Sequence, residues 1–439
     1  MWSWVTWTPA SSTTPAAGAR RRGGTVPPEA GLSDEQQALR DAARRFAREV
    51  LRPAALATDR MADPHDIVHP DSPWSAARRA ARQQGFHLAG LPAAAGGLGL
   101  DPLSLHILLE EFGWASPGLA LSIFADAFPA TAVLLHRPGS RHLLETIVAP
   151  FVADTEAKLC SCAALSEPGH GSDALWAWKR GDSDARISFS TRARRSGDSY
   201  LVSGEKSAWV SNAPAATHAL VWVTVCAGDG RSEGGGIALV PLDLPGVHRG
   251  PPTLLLGSRD FPQCSLGFDA VRIPAEYLLV EPARYESAAD QFLNMGGLSV
   301  GVAFLGLARA AFEEALRYCR ERIQGGVPLI RHQAVQLKLF ELFTRVEAAR
   351  AFSRQAMVAC LAPQERVPIE YSTAVKIHCT QAAFDVAHEA VQLHGAAGLA
   401  AGTVVEKLFR DARGDLIGDG CNRALALERS RDLIENYPS

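Results

Sequence analysis

Apolar residues recur along this chain with two periods, and the changes between them divide it into three. Leu39, Ala43, Phe46 and Val50 share one helical face. Ahead of them Ser33 and Gln36 stand at the spacing of a capping box. Pro53 is expected to end or bend that helix. The 3.6-residue period returns over 75–84, 102–113 and 118–136, interrupted by a glycine-rich turn at 91–100. From about Cys160 to Leu279 the period drops to two. Val- and Thr-rich runs at 187–192, 200–202, 219–225, 236–240 and 263–268 predict strands. Gly228-Asp229-Gly230 and Gly234-Gly235-Gly236 look like exposed hairpin connections. Long helical patterns resume at Ser287, with Val335, Leu339, Leu342 and Val346 forming a core-facing stripe. The expectation is a mainly α protein with an inserted antiparallel β domain. Its divisions are 1–31, 32–158, 159–282 and 283–439.

Composition narrows the class. The 439 residues are 47% hydrophobic and 21% charged, with a net charge of -3, which suits a globular domain set rather than a nucleic-acid binder. No apolar run in the sequence reads as a membrane span. The eight cysteines include Cys160 and Cys162 as a C-x-C but no C-x-x-C. Reduced buried thiols in a cytoplasmic protein are therefore expected, with neither a disulfide framework nor a zinc ribbon. No metal is expected: His394 has no histidine or cysteine three or four residues away, and reads as a packing or hydrogen-bonding residue. Residues 1–31 are rich in Ser, Thr, Pro, Gly and Ala, with Arg20-Arg21-Arg22. They match a transit peptide loosely but lack an amphipathic helix, and read as a disordered extension or a misplaced start codon.

The chemistry concentrates in two segments. Leu165-Ser166-Glu167-Pro168-Gly169-His170-Gly171-Ser172-Asp173 is a turn of small residues that exposes backbone N–H groups. Gly204-Glu205-Lys206-Ser207-Ala208-Trp209-Val210-Ser211-Asn212 follows a strand run, and alternation puts Trp209 and Ser211 on one face. An aromatic plane, a hydroxyl and a nest of amides suit a planar anionic cofactor. In order and spacing the pair resembles the flavin-contacting signatures T-E-P-x-x-G-S-D and W-I-T-N of the acyl-CoA dehydrogenase family. The loop Leu91–Leu100 is also similar to that family's L-P-x-x-x-G-G-L-G, near the substrate cleft. The resemblance covers roughly residues 32 to 437. It implies an N-terminal helical domain, a middle β barrel and a C-terminal four-helix bundle, assembled as a homodimer or homotetramer around FAD.

Carried over residue by residue, the resemblance gives Leu165, Ser166, Gly171 and Ser172 to the pyrimidine and pyrophosphate of the cofactor. Trp209 would cover the isoalloxazine edge and Ser211 would reach N5. Both family threonines are serine here, keeping the oxygen but not the rotamer-restricting methyl. Glu321-Arg322 through Gln333, and Gln392 through Gly395, match segments that in this family reach the FAD of a neighbouring subunit. Arg322 would grip the pyrophosphate with a forked contact. Gly325 replaces an aromatic residue there, and Ala396 replaces a second glycine.

Residues 408–422 resemble the family's L-x-R-D-A followed by I-Y-E-G-T, whose glutamate removes the α-proton of an acyl thioester. The glutamate position holds Asp419, the tyrosine Gly418 and the threonine Cys421. A carboxylate one methylene shorter is withdrawn by about 1 Å unless the backbone advances. Gly418 and Gly420 would let it do so. The earlier-helix position where some members carry the base reads Met295-Gly296-Gly297-Leu298, with no carboxylate. The resemblance thus implies an FAD-dependent dehydrogenase of acyl-CoA or acyl-carrier-protein thioesters, with electron-transfer flavoprotein or oxygen as acceptor. Paired glycines suggest room for a branched or functionalised chain of a biosynthetic pathway. Two other readings stay open: a flavin monooxygenase-type relative that needs no base, and a catalytically silent binding paralogue.

Overall fold

The capping box forms as the spacing predicts: the Gln36 N–H donates to Ser33 Oγ and the Ser33 N–H to Gln36 Oε1. This computed structural model describes residues 31–176, 188–362 and 367–436; most of the N-terminal extension lies outside them. The N-terminal layer comprises α1 (Asp34–Phe46), α2 (Arg52–Asp59), α3 (Pro64–Ile67), α4 (Pro73–Gln83), α5 (Pro102–Ala115), α6 (Pro117–Ala125), α7 (Phe128–His136), α8 (Arg141–Leu143) and α9 (Ala149–Ala153). Pro53 does not end its helix. A π turn over Ala47–Leu51, closed by the Arg52 N–H on the Ala47 carbonyl, widens the backbone just ahead of the proline, and the helix runs on to Asp59. The single helix expected at 118–136 is two, bent by 45° between Ala125 and Phe128. Pro129 occupies the first turn of the second, where its missing N–H does no harm.

The middle layer holds β1 (Ser161–Ala164), β2 (Arg192–Ser196), β3 (Ser199–Ser211), β4 (His218–Cys226), β5 (Ser232–Pro241), β6 (Val247–Arg249), β7 (Gln263–Pro274) and β8 (Leu278–Val280). They form one sheet in the order β6-β7-β3-β2-β4-β5-β8, with β1 added on β4. The sheet is not purely antiparallel, because β4 pairs in parallel with both β1 and β2. Two strand expectations shift. The run at 187–192 becomes β2, starting only at Arg192, with Ile187 outside the described residues. Gly234–Gly236 is no hairpin tip but lies inside β5, where Tyr285 and Val225 leave no space for side chains. The turn is Ala227–Arg231, as Gly228-Asp229-Gly230 suggested.

The C-terminal layer comprises α10 (Tyr285–Glu321), the short hairpin β9 (Ile323–Gln324) and β10 (Val327–Pro328), α11 (Gln333–Leu361), α12 (Ile369–His394), α13 (Val404–Gly414) and α14 (Asn422–Asn436). With its preceding turn α10 is long and apolar enough to cross a membrane, which the sequence reading did not register. However, 72% of its most apolar stretch is buried inside this protein, so the core accounts for its character. It packs on α5 and α12 at once. At the α5 crossing the backbones touch: a Cβ on Gly113 would lie 2.1 Å from the Ala303 carbonyl oxygen, and one on Gly306 2.3 Å from that of Glu110. Gly113→Ala or Gly306→Ala should therefore destabilise the protein by about 1–3 kcal/mol through overpacking, read as a lower midpoint in urea. An unchanged midpoint would show that the helices can part freely.

Candidate active site

Glu167 holds the first cofactor segment in shape. Its N–H and C=O pair with those of His170 across Pro168-Gly169, making a tight turn. Its carboxylate, buried, accepts from Lys206 Nζ at 2.8 Å, from the Ser190 N–H and hydroxyl, and from the Thr191 N–H. Burial alone would raise its pKa, but the Lys206 charge and these donors hold it down at about 2. Lys206, fully buried, is pushed down to about 8 by burial, against the pull of Glu167. Both therefore stay charged at neutral pH. Lys206 also donates to the Leu165 carbonyl at 3.2 Å, tying the first segment to the second.

Further bonds join the two. The Ser207 N–H donates to the Ser166 carbonyl at 3.0 Å, and the Ser166 and Ser207 hydroxyls are 2.6 Å apart. Trp209 and Ser211 point outward from β3 with Val210 inward between them, as alternation predicts. Ser211 Oγ accepts from Gln263 Nε2 at 2.9 Å. Asn212, left without a role by sequence reasoning, is buried at φ 64° and pins the strand end: it donates to the Ser122 and Ser161 carbonyls and accepts from Ser122 Oγ.

The residue 415–422 loop docks onto the first segment. The Cys421 N–H donates to Ser172 Oγ at 2.9 Å, and a Cβ on Gly420 would stand 2.9 Å from Leu175 Cδ1. Asp419 thus lies two residues before the contact with Ser172, in a left-handed turn at φ 49° that aspartate tolerates better than most residues. Its side chain is exposed to water, with enough protein packed around it to shift its titration. Burial raises its pKa, and Lys376 opposes the rise. Asp415 is pushed up to about 7, by burial first and then by Asp419. Lys376, 0% exposed on α12, donates to the Asp415 carbonyl at 2.9 Å, the Gly420 carbonyl at 2.7 Å and Asn422 Oδ1 at 2.8 Å. Sequence reasoning missed Glu167, Lys206 and Lys376. For Lys376 the available signal was a lysine on a buried, mostly small-residue face with Ser372, Cys379 and Ala383.

Arg322, Gln333, Gln392 and Gly395 form a second, exposed cluster. The Tyr318 ring stacks on His394 at 4.1 Å, and the Leu329 N–H donates to the Arg322 carbonyl. His394 Nδ1–H donates to the Ala390 carbonyl at 2.7 Å, in the hydrogen-bonding role expected of it, while its buried Nε2 has no partner. The two clusters do not meet within one chain. Leu165 and Leu293 line one small cavity, and from Leu293 to Glu321 are 28 residues of α10, about 42 Å at about 1.5 Å per residue.

The residues present fit a flavin dinucleotide. Trp209 offers a ring 60% exposed, although the other tryptophan of the sheet, Trp222, is buried. Gly171 has open space around its backbone, and His394 Nε2 is an unmet polar atom at the second cluster. No group of three metal-ligating side chains occurs among the described residues.

A three-layer helix–sheet–helix chain with such a site is a flavin-dependent oxidoreductase. Residues 33–154, 162–271 and 287–430 match the N-terminal, middle and C-terminal domains of acyl-CoA dehydrogenase. The chain is 31% identical to the human mitochondrial short-chain specific acyl-CoA dehydrogenase over 93% of its length and 92% of that protein. It is 29% identical to cyclohex-1-ene-1-carbonyl-CoA dehydrogenase of Syntrophus aciditrophicus, over 93% and 91%. The butyryl-CoA dehydrogenase structure from Megasphaera elsdenii superposes with a TM-score of 0.78 at 25% identity, covering 92% of this chain and 99% of that one. The chain belongs to the acyl-CoA dehydrogenase family, and is an FAD-dependent oxidoreductase acting on CH–CH groups.

Glu167→Ala leaves the Lys206 ammonium buried without its counter-charge. The loss should be about 3–5 kcal/mol, with reduced flavin retention, read by denaturation and by the flavin-to-protein absorbance ratio. Because the Glu167 pKa is depressed, its contribution is present above about pH 4 and fades as pH falls towards about 2. A variant as stable as the parent at neutral pH would remove Glu167 from this role.

Proposed function

We propose that this protein introduces an α,β double bond into an acyl thioester, with Asp419 as the base that takes the α-proton. The observation that carries the reading is the docking of the Asp419 loop on Ser172 and Leu175, which sets a carboxylate of raised basicity beside the flavin segments. FAD, when bound, supplies the acceptor for the β-hydrogen as hydride. Ser166 and Ser172 would orient it, Trp209 would shield its ring from water, and Ser211 would hydrogen-bond its central edge. The raised pKa suits the task, since a base works best when its pKa approaches the working pH. Gly418 and Gly420 do not leave spare room as their sequence suggests: Asp415 Oδ1 lies 2.8 Å from a Cβ on Gly418, and Leu175 and Leu425 crowd Gly420. The substrate is an acyl-CoA or acyl-carrier-protein thioester, with electron-transfer flavoprotein or oxygen as the acceptor. Seven buried free cysteines accord with a reducing compartment, the cytoplasm.

Assembly follows from the separation of the two clusters. About 42 Å of helix is beyond one dinucleotide, so Arg322 and Gln392 would serve the FAD of a neighbouring copy in a homodimer or homotetramer. Leu337 and Phe340, both more than two-thirds exposed on α11, supply apolar surface for it.

Asp419→Asn should slow anaerobic flavin reduction by butyryl-CoA, or by whichever member of an acyl-thioester panel reduces the parent, by about 100- to 10,000-fold, with FAD still bound. Reduction at the parent rate would rule the residue out as base. Arg322→Ala should lower FAD occupancy in the oligomer, because a forked contact to phosphate is lost. Full occupancy, or a monomer that binds FAD normally, would contradict the shared site.

A further inference from the structure

Lys376 gives all three of its protons to neutral oxygens, two of them backbone carbonyls that bracket Asp419. Its third acceptor, Asn422, is itself oriented by donating Nδ2–H to Thr380 Oγ1 at 3.0 Å, one turn along α12. None of these bonds goes to a carboxylate, so the ammonium fixes the loop without its charge being spent in a contact pair. Two carboxylates share that charge at longer range, Asp415 and Asp419. The loop folds back so that Asp415 Oδ1 packs against Gly418, the residue just before the base.

We propose that Lys376 and Asp415 are positioning residues for Asp419: Lys376 fixes the backbone on both sides of it, and Asp415 competes with it for the lysine charge and so sets its basicity. This rests on Asp419 being the base. When Asp415 is neutral, Lys376 serves Asp419 alone and weakens it as a proton acceptor. When Asp415 ionises, one cation serves two anions and Asp419 becomes the stronger base. The other groups around the pair are accounted for. Asp411 on α13 is committed to Lys407 and the Ser258 N–H. Cys421 shares the loop, and Arg423 on α14 lies beside Cys421.

Two variants should move the pH dependence in opposite directions. In FAD-loaded enzyme, the rate of anaerobic flavin reduction by butyryl-CoA is followed from about pH 5.5 to 9. Asp415→Asn should shift the rising limb down by about one pH unit and lower the plateau, because the competing anion is gone. Lys376→Gln should shift the limb up, because the cation is gone. A purely structural role would lower both rates and move neither limb. A second readout needs no turnover. Asp415 in the folded protein keeps to about pH 7 a proton that the unfolded chain releases near pH 4, so the parent loses stability across that interval. The melting temperature of Asp415→Asn minus that of the parent should therefore grow as pH rises. Unmoved limbs, limbs that move together, or a melting difference independent of pH would overturn the proposal. If Lys376→Gln does not fold, the two Asp415→Asn measurements decide. An inert Asp419→Asn beside an unmoved Asp415→Asn limb defeats this inference alone. An active Asp419→Asn defeats the base assignment as well.

Discussion

Backbone contact between α5 and α10 governs how the helical layers meet. With glycine on each side of the crossing, peptide lies on peptide, and the two acids that flank it are largely buried. Glu110 and Glu111 on α5 are both buried, and such carboxylates persist only if matched. Arg309 on α10 lies 3.1 Å from Glu110 and 2.7 Å from Glu111, and Arg350 on α11 reaches Glu110 at 3.1 Å. Despite burial, which works the other way, these guanidinium groups hold both acids well below the ordinary carboxylate range. The close crossing and the ion cluster thus depend on each other. Together they lock the N-terminal helices to the C-terminal bundle in one arrangement. Since α12 packs along the same α10, that arrangement also fixes where Lys376 enters the site.

Two buried lysines then do related work with different charge balance. Lys206 secures the first cofactor segment and is neutralised by Glu167 in direct contact. Lys376 secures the 415–422 loop but meets only neutral oxygens. The first is a structural clasp whose electrostatics are closed. The second leaves a field at the carboxylates around it, which is why protonation in this loop responds to its surroundings while the Glu167 pair stays ionised.

Most of the architecture was legible because period alone separates helix from strand, and the turn at 165–173 and the strand at 204–212 stood out because their polar groups are local in sequence. What failed was local too. Pro53 carries the same signal whether a helix ends or takes a π turn ahead of it. The glycines at 234–236 look like a hairpin, but they serve a strand pressed against Tyr285. Lys376 and Glu167 were illegible as site residues because their partners stand far off in sequence: Gly420 and Asn422 for one, Ser190 and Lys206 for the other. A charged residue on an apolar face shows that a partner must exist, not which one.

The aspartate in place of the longer glutamate can be weighed on the same terms. Freedom of the backbone at Gly418 and Gly420 would be the simple way to recover the lost reach. That freedom is already used: Gly420 is packed against Leu175 and Leu425, its carbonyl is held by Lys376, and Cys421 is tied to Ser172. The left-handed turn at Asp419 is thereby fixed from both sides. With Asp419 as the proposed base, reach is set by the fold and not by adjustment, and tuning of the shorter side chain would fall on its electrostatic surroundings. On the proposed reading of Asp419 as the base, that tuning falls to a second acid four residues earlier in the loop and to the Lys376 cation of α12.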